Sequence, residues 1–156
     1  MLLTGSDLGD RLRNLDEARN HIRSIIGDVL CSSVVHETEP WGFESNTRFL
    51  NQALLVNSHL GPEELLQSIL FIEKEMGRKR NKLRWTSRLI DIDIISAEDM
   101  TYDTPELTIP HKHLHLREFV LKPLCEVAPG WMHPVLQKTS TQLLSELNDV
   151  LAKDLI

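Results

Sequence analysis

Two carboxylates separated by one residue are the side chains in this sequence best suited to chemistry. Asp91 and Asp93 alternate with isoleucine in the run IDIDI at residues 90–94, which has the period of a β-strand. On a strand the two carboxylates share one face and the isoleucines share the other. Because two like charges at this spacing repel each other, a hard divalent cation such as Mg²⁺ would stabilise them, with phosphate oxygens and water completing its shell.

A concentrated basic segment precedes these carboxylates. Residues 74–88 hold seven Lys or Arg side chains and one acidic side chain, Glu75, in a chain of net charge −6. Guanidinium groups bind phosphate oxygens through paired hydrogen bonds and stay charged, so the segment suits a small polyphosphate. Trp85 lies among these charges, where it is placed to cover a nucleotide. Either feature alone is typical of a solvated surface, but their adjacency favours a site for magnesium and a polyphosphate.

The composition limits the classes of protein to which the chain can belong. Its 156 residues are 41% hydrophobic and 26% charged, which predicts a single folded domain over residues 1–156. The negative net charge argues against nucleic-acid binding, and no apolar run approaches the roughly 18 residues that span a bilayer. Residues 1–5 lack the features of a signal peptide, and the two cysteines are interpreted as free thiols. We therefore predict a cytoplasmic monomer with small-molecule partners and no nucleic-acid or membrane partner.

Hydrophobic periodicity predicts the elements that hold these side chains. The predicted strands are residues 2–6, 29–38, 49–57 and 88–95, and the predicted helices are 11–26 and 61–77. The order β-α-β-β-α-β predicts a ferredoxin-like α+β fold with a mainly antiparallel sheet. A further helix is predicted near residues 117–124, and Thr139 and Gln142 form a capping box for a last one. These C-terminal helices are expected to give the sheet helices on both faces.

Several spaced motifs follow one another along the chain. They are GSDLGD at residues 5–10, TEPWG at 38–42, FLN at 49–51, RWTSRLIDIDI at 84–94, IPH at 109–111 and REFVLKPL at 117–124. Together they resemble the motifs of the 6-hydroxymethyl-7,8-dihydropterin pyrophosphokinase family, whose central signature is R-W-G-P-R-x-[IL]-D-[IL]-D-[IL]. The resemblance covers about residues 5–129 in the family's order.

The resemblance implies a reaction and a set of residue roles. A pyrophosphoryl group would pass from Mg-ATP to 6-hydroxymethyl-7,8-dihydropterin, giving AMP and the pterin diphosphate in folate biosynthesis. Asp91 and Asp93 would hold two Mg²⁺ ions that bridge the phosphates of ATP, and would act in catalysis together with Arg78 and Arg88. The nucleotide would bind Glu73, Arg80, Arg84, Trp85, His111 and Arg117. The pterin would bind Thr38, Trp41, Phe49, Asn51 and Phe119.

These implied roles agree with the chemistry of both substrates. A flat heterocycle between the rings of Phe49 and Phe119 gains stacking, and the amide of Asn51 matches its hydrogen-bonding edge. Phosphoryl transfer needs mainly positioning and charge neutralisation, so the protein has little covalent chemistry to perform. The substrate hydroxyl would attack the β-phosphorus. Asp93 is a candidate to accept its proton, although a carboxylate that holds magnesium is a weak base.

Two departures from the family pattern lie beside these residues. Asp7 stands where the family usually has Asn, and Thr86-Ser87 replaces Gly-Pro beside Trp85. Neither removes a predicted metal ligand or a phosphate-binding arginine, so activity is expected. The first strand is short, with four residues before Gly5, which indicates that the N-terminus starts late or is trimmed.

Two other classes of function remain open from the residues alone. An RNA-recognition domain shares the β-α-β-β-α-β order, but this sequence lacks the paired aromatic sheet motif of that domain and carries the wrong net charge. A regulatory domain that binds small molecules without catalysis would not need a basic segment beside Asp-x-Asp.

His111, His113 and His115 alternate without a suitable cysteine or acidic ligand for zinc. His111 is therefore predicted to donate to phosphate, and the other two histidines to lie on the surface.

Overall fold

A computed structural model of the chain describes residues 1–40, 46–77 and 88–154. The strands are β1 (Leu2–Ser6), β2 (Asp28–Ser32), β3 (His36–Thr38), β4 (Phe49–Asn57), β5 (Asp91–Ile94), β6 (Tyr102–Asp103) and β7 (Thr108–Ile109). The helices are α1 (Arg11–Ile25), α2 (Pro62–Glu75), α3 (Glu118–Val127) and α4 (Ser140–Lys153), with a 3₁₀ turn at Leu114–Leu116. None of the helices in these ranges is both long and apolar enough to cross a membrane.

The main sheet is antiparallel and has the order β2-β4-β1-β5, with β3 also paired to β4. In each β-α-β segment the two strands are separated by one other strand. β4 lies between β1 and β2, and β1 lies between β4 and β5. This is the strand arrangement of a ferredoxin-like fold, so the predicted α+β class is confirmed. β6 and β7 form a separate two-stranded sheet.

Helices cover both faces of the main sheet, as predicted. On one face Leu2, Leu54 and Ile92 are buried in a core shared with α1 and α2. On the other face Leu3 and Ala53 are buried in a core shared with α3 and α4. Neighbouring residues of β1 and β4 thus enter different cores, because side chains alternate along a strand.

Local signals in the sequence located the helices well. α4 begins with the predicted capping box, in which the Thr139 hydroxyl accepts from the Gln142 amide at 3.1 Å and Gln142 Oε1 accepts from the Thr139 amide at 2.8 Å. α1 and α2 end within two residues of the predicted boundaries. Both cysteines are free thiols, as predicted.

The strand predicted over residues 29–38 is wrong in one respect, because the structure divides it into β2 and β3. The hydroxyl of Ser33 accepts the amide of Ala53 at 3.0 Å, in place of a backbone carbonyl. The amide of Val34 donates to Glu126 Oε2 of α3 at 2.8 Å. One backbone bond to β4 remains here, from the Ser33 amide to the Ala53 carbonyl at 2.9 Å, but side chains make the neighbouring hydrogen bonds and interrupt the regular ladder. The composition of the segment does not reveal that.

The strand predicted over residues 88–95 is also shorter than expected, since β5 covers Asp91–Ile94 alone. Before its start, the backbone amide and carbonyl of Arg88 bond to Asp7, the residue just after β1, and the amide uses the Asp7 side chain as its acceptor. At its end, the amides of Ile95 and Ser96 both donate to the carbonyl of Met1, at 2.9 and 3.4 Å, which ends the regular ladder.

Candidate functional site

β5 presents the two carboxylates on the face of the sheet that α3 covers. Asp91 and Asp93 are half-buried, whereas Ile92 and Ile94 are buried in the core beneath α1 and α2, which confirms the predicted alternation. β5 is the last strand in the sheet order, so one of its edges faces away from β1. The buried carboxylate of Glu73 in α2 accepts the Ile92 amide at 3.3 Å, which brings the end of α2 beside the aspartates.

The register of the sheet brings the carboxylates close to a buried amide. Gly5 in β1 pairs with Asn51 of β4 on one side and with Asp91 of β5 on the other. A Cβ atom at residue 5 would lie 3.0 Å from Asn51 Oδ1 and 3.7 Å from the ring of Phe49. Glycine at this position therefore leaves the space between Asn51 and Asp91 free of a side chain.

All of these side chains line one cleft of about 520 Å³, a volume typical of small-molecule sites. Every predicted site residue in the described ranges lies on its wall. They are Thr38, Phe49, Asn51, Glu73, Arg88, Asp91, Asp93, His111, Arg117 and Phe119. The other predicted site residues, Trp41, Arg78, Arg80, Arg84 and Trp85, lie outside the described residues.

One end of the cleft is suited to a flat polar heterocycle. The Asn51 amide nitrogen donates to the Thr38 hydroxyl at 2.8 Å, and Asn51 is only 5% exposed. This hydrogen bond fixes the orientation of the amide, with its oxygen directed towards Gly5. The half-buried rings of Phe49 and Phe119 line the same cleft.

The other end of the cleft combines two cations with the two carboxylates. Arg88 Nη1 lies 3.2 Å from Asp91 Oδ2, in a pair whose side chains are 17% and 26% exposed. Arg117 is buried, and burial lowers its pKa while the nearby Asp93 and Asp91 raise it. A guanidinium remains charged under these conditions. Its Cζ lies 5.8 Å from the centre of the Phe119 ring, so Arg117 reaches from the carboxylates towards the aromatic end.

His111 is a neutral hydrogen-bond donor in this setting. Burial is the main cause that lowers the pKa of His111 to about 4, and the charges of Arg117 and His113 lower it further, against a smaller opposing effect of Asp91. Its Nδ1 accepts the amide of His113 at 3.2 Å, so the proton of the neutral ring is on Nε2. His113 is exposed, as predicted, and also lines the cleft, whereas His115 is half-buried.

Acid is expected to destabilise the protein through His111. Between its ordinary pKa of 6.5 and its folded value of about 4, the unfolded chain binds a proton that the folded chain does not. Stability is therefore lost as pH falls through this window, by up to about 2 kcal/mol between roughly pH 7.5 and pH 5. Urea unfolding of the parent and of His111→Asn at both pH values measures this loss.

The asparagine variant keeps an acceptor for the His113 amide but does not titrate, so its free energy of unfolding should fall less with acid. The lowered pKa of the buried His133 contributes in the same direction and is common to both proteins. An equal loss in the two proteins would mean that His111 does not cause the acid sensitivity.

Sequence reasoning missed an apolar part of the cleft wall. Leu66, Ile69 and Leu70 of α2 and Leu107, before β7, line the cleft beyond the edge of β5. The helical stripe of α2 was visible in the sequence, but it indicated core packing and not which residues reach past the sheet. Polar residues that were also missed are Glu39, Glu106, Thr108 and Lys112.

Comparison with known proteins gives one family. Residues 1–129 match the family described as 7,8-dihydro-6-hydroxymethylpterin-pyrophosphokinase. The 2-amino-4-hydroxy-6-hydroxymethyldihydropteridine pyrophosphokinase of Porphyromonas gingivalis is 42% identical over 136 residues, which cover 85% of this chain and 92% of that protein. The protein of the same name from Aquifex aeolicus is 38% identical over 134 residues, which cover 86% and 82%.

Solved structures agree at the level of the fold. Wild-type HPPK-DHPS of Plasmodium falciparum superposes with a TM-score of 0.77 at 16% identity, over 98% of this chain. The chain spans 45% of the length of that HPPK-DHPS chain.

Proposed function

The chain belongs to the 7,8-dihydro-6-hydroxymethylpterin-pyrophosphokinase family, and on that premise we propose that the cleft around Gly5 is its active site. The reaction is the transfer of a pyrophosphoryl group from ATP to 6-hydroxymethyl-7,8-dihydropterin in folate biosynthesis. The observation that carries the assignment is the pairing of Gly5 with both Asn51 and Asp91. Asn51, whose amide suits the pterin, and Asp91, whose carboxylate suits magnesium and phosphate, thus lie on the two strands that flank β1, with only Gly5 between them.

The pterin is assigned to the end of the cleft that Asn51 and Thr38 form. A buried amide already bonded to Thr38 has one remaining N–H and its oxygen for the donor and acceptor edge of the heterocycle. Phe49 and Phe119 would stack on its faces, and stacking adds to the free energy of area burial. Trp41 joins this set through the family resemblance.

Magnesium is assigned to Asp91 and Asp93. Among the described residues no group of three or more His, Cys, Asp and Glu side chains is placed to hold a metal ion, and the proposal therefore uses only the two carboxylates of β5. That donor set fits Mg²⁺, which keeps several waters and takes its other ligands from substrate phosphates. Bound magnesium, two ions by family resemblance, would neutralise the phosphate charge and the charge that develops on the leaving oxygen.

The nucleotide phosphates are assigned to the cationic end of the cleft. Arg88 and Arg117 would orient phosphate oxygens and offset their charge, and Nε2–H of the neutral His111 would donate to one of them. His111 is a poor general base here, because its free nitrogen already accepts the His113 amide. That leaves Asp93 as the candidate to receive the proton of the pterin hydroxyl. Glu73, Arg78, Arg80, Arg84 and Trp85 complete the proposed nucleotide site.

Product analysis tests the proposed function. Incubation with ATP, magnesium and 6-hydroxymethyl-7,8-dihydropterin should give AMP and the pterin diphosphate in equal amounts, and a chelator of magnesium should stop the reaction. Formation of ADP would indicate transfer of a single phosphoryl group. Binding without any nucleotide turnover would favour a regulatory binding domain.

The wider organisation of the protein is also a proposal. We propose that residues 1–156 act as one domain and as a monomer in the cytoplasm, in line with the composition of the chain. Light scattering should then give a mass near 17.9 kDa, and a mass of twice that value would contradict the monomer.

A further inference from the structure

The carboxylate of Asp7, just after β1, holds the backbone at Arg88. Asp7 Oδ1 accepts the Arg88 amide at 2.5 Å, and the Asp7 amide donates to the Arg88 carbonyl at 3.2 Å. Asp7 is only 1% exposed. Both backbone groups of Arg88 are thus bonded to one residue that is 81 positions away in the sequence.

Leu89, the residue that follows Arg88, is held by contacts with two glycines. A Cβ atom at Gly9 would lie 3.4 Å from one methyl group of Leu89, and one at Gly77 would lie 3.6 Å from the other. Both glycines have positive φ, of 67° and 87°, which other residues rarely adopt. Leu89 therefore packs between two glycine turns, and Ile90 beyond it is fully buried.

A buried carboxylate is a costly way to hold a backbone amide. Within the described residues the second oxygen, Asp7 Oδ2, has no hydrogen-bond partner, so part of the cost of desolvating the charge is not offset. The acceptor is a carboxylate, and a hydrogen bond to a carboxylate is stronger than one between two neutral groups. The hydrogen bond fixes the position of the Arg88 amide relative to Asp7, and the desolvation of the carboxylate opposes its stabilising effect.

We propose that Asp7 is a positioning residue for pyrophosphoryl transfer, because it fixes the Arg88 backbone from which the guanidinium reaches Asp91. The distance from Arg88 Nη1 to Asp91 Oδ2 is 3.2 Å, and the Arg88 side chain is 17% exposed. The inference rests on the proposed function, since the role of Arg88 at the phosphates belongs to it. Asparagine at position 7 would present the same Oδ1 acceptor, so the amide that the family usually carries there suits the same task.

Replacement of Asp7 by alanine removes the carboxylate that accepts the partly buried Arg88 amide. We expect kcat to fall on the order of 10- to 100-fold, the scale of a displacement of about 1 Å at a reacting group. The KM for the pterin should stay near the parent value. Asp7→Asn keeps the acceptor and should restore most of the rate.

Asp10→Ala is the matched control. It makes the same chemical change three residues away, where Asp10 accepts the Arg13 amide at 3.2 Å as the cap of α1. Loss of this cap should lower the melting temperature and leave kcat unchanged. A fall in kcat for Asp10→Ala as large as that for Asp7→Ala would overturn the proposal.

A double-mutant cycle with Arg88→Ala distinguishes positioning of the Arg88 side chain from a general loss of order in the backbone around Asp7 and Arg88. If Asp7 acts through the Arg88 side chain, Asp7→Ala should lower kcat little further once that side chain is absent. The same fold-loss in both backgrounds would overturn the proposal. Inactivity of the parent would instead contradict the proposed function, so the two failures differ.

Hydrogen exchange of the parent gives a test that does not depend on the folding of any variant. The Arg88 amide should be protected from exchange to a degree near that of the β1 and β5 core amides. Rapid exchange at Arg88 in the parent would mean that Asp7 does not hold it, and would overturn the proposal.

Discussion

Replacement of Asp93 by alanine is expected to lower kcat by about 10³-fold or more, equivalent to about 4 kcal/mol of transition-state stabilisation. The aspartates of β5 supply the two carboxylates assigned to magnesium, and the burial pattern of the strand directs both to the cleft. Removing one carboxylate halves the protein's contribution to that donor set. Steady-state rates measured over a range of magnesium concentrations give the effect.

Asp93→Asn and Asp99→Ala are the controls for this prediction. Asp93→Asn keeps the shape of the side chain and one oxygen that can bind magnesium. It should therefore lose less activity than Asp93→Ala, and it should need more magnesium than the parent to reach its half-maximal rate. Asp99 is exposed on the turn after β5, and its replacement makes the same change in net charge outside the cleft. A parent-like rate for Asp93→Ala would refute the assignment of the magnesium site to these carboxylates.

Replacement of Asn51 by leucine is expected to lower kcat/KM for the pterin about 100-fold or more, with little change in the KM for ATP. A site built around hydrogen bonds rejects its ligand strongly when one partner is lost, because the polar atoms of the other are then buried unpaired. Asn51 is 5% exposed, so water cannot easily replace its amide. Varying each substrate at saturation of the other separates the two constants.

Gln52→Leu is the matched control for Asn51→Leu. Gln52 is the next residue of β4, is 7% exposed, and donates to the Ser33 carbonyl at 2.9 Å on the opposite face of the sheet. The same kind of change should reduce stability there without affecting pterin recognition.

Thr38→Val should lower kcat/KM by a smaller factor, about 10-fold, because it removes only the hydroxyl that orients the amide. Equal effects at Asn51 and Gln52 would count against the proposed pterin site.

Residues from motifs that are distant in the sequence lie together in the structure. Thr38, Asn51, Asp91 and Arg117 come from four separate segments, yet all line one cleft. Their shared location could be expected only through the family resemblance, since spacing along a chain does not specify distance in space. Their individual roles remain predictions that the substitutions above test.

Some features are determined by the sequence itself because their causes are local. The alternation of Asp91 and Asp93 with isoleucine is enough to assign the two faces of β5, and it was confirmed. The capping box at Thr139 and the stripe of α1 depend on residues within one or two helical turns. The order of these elements was enough to predict the ferredoxin-like fold, because few topologies satisfy that order.

Other features were decided by the tertiary structure alone. The division of β2 from β3 depends on Glu126, which is 92 residues from Val34, and the start of β5 depends on Asp7. The neutral state of His111 follows from its burial and from the charge of Arg117 beside it. In each case the deciding partner is distant in sequence. Hydrogen bonds and desolvation act over a few ångströms in space, so only the folded chain brings these partners within reach.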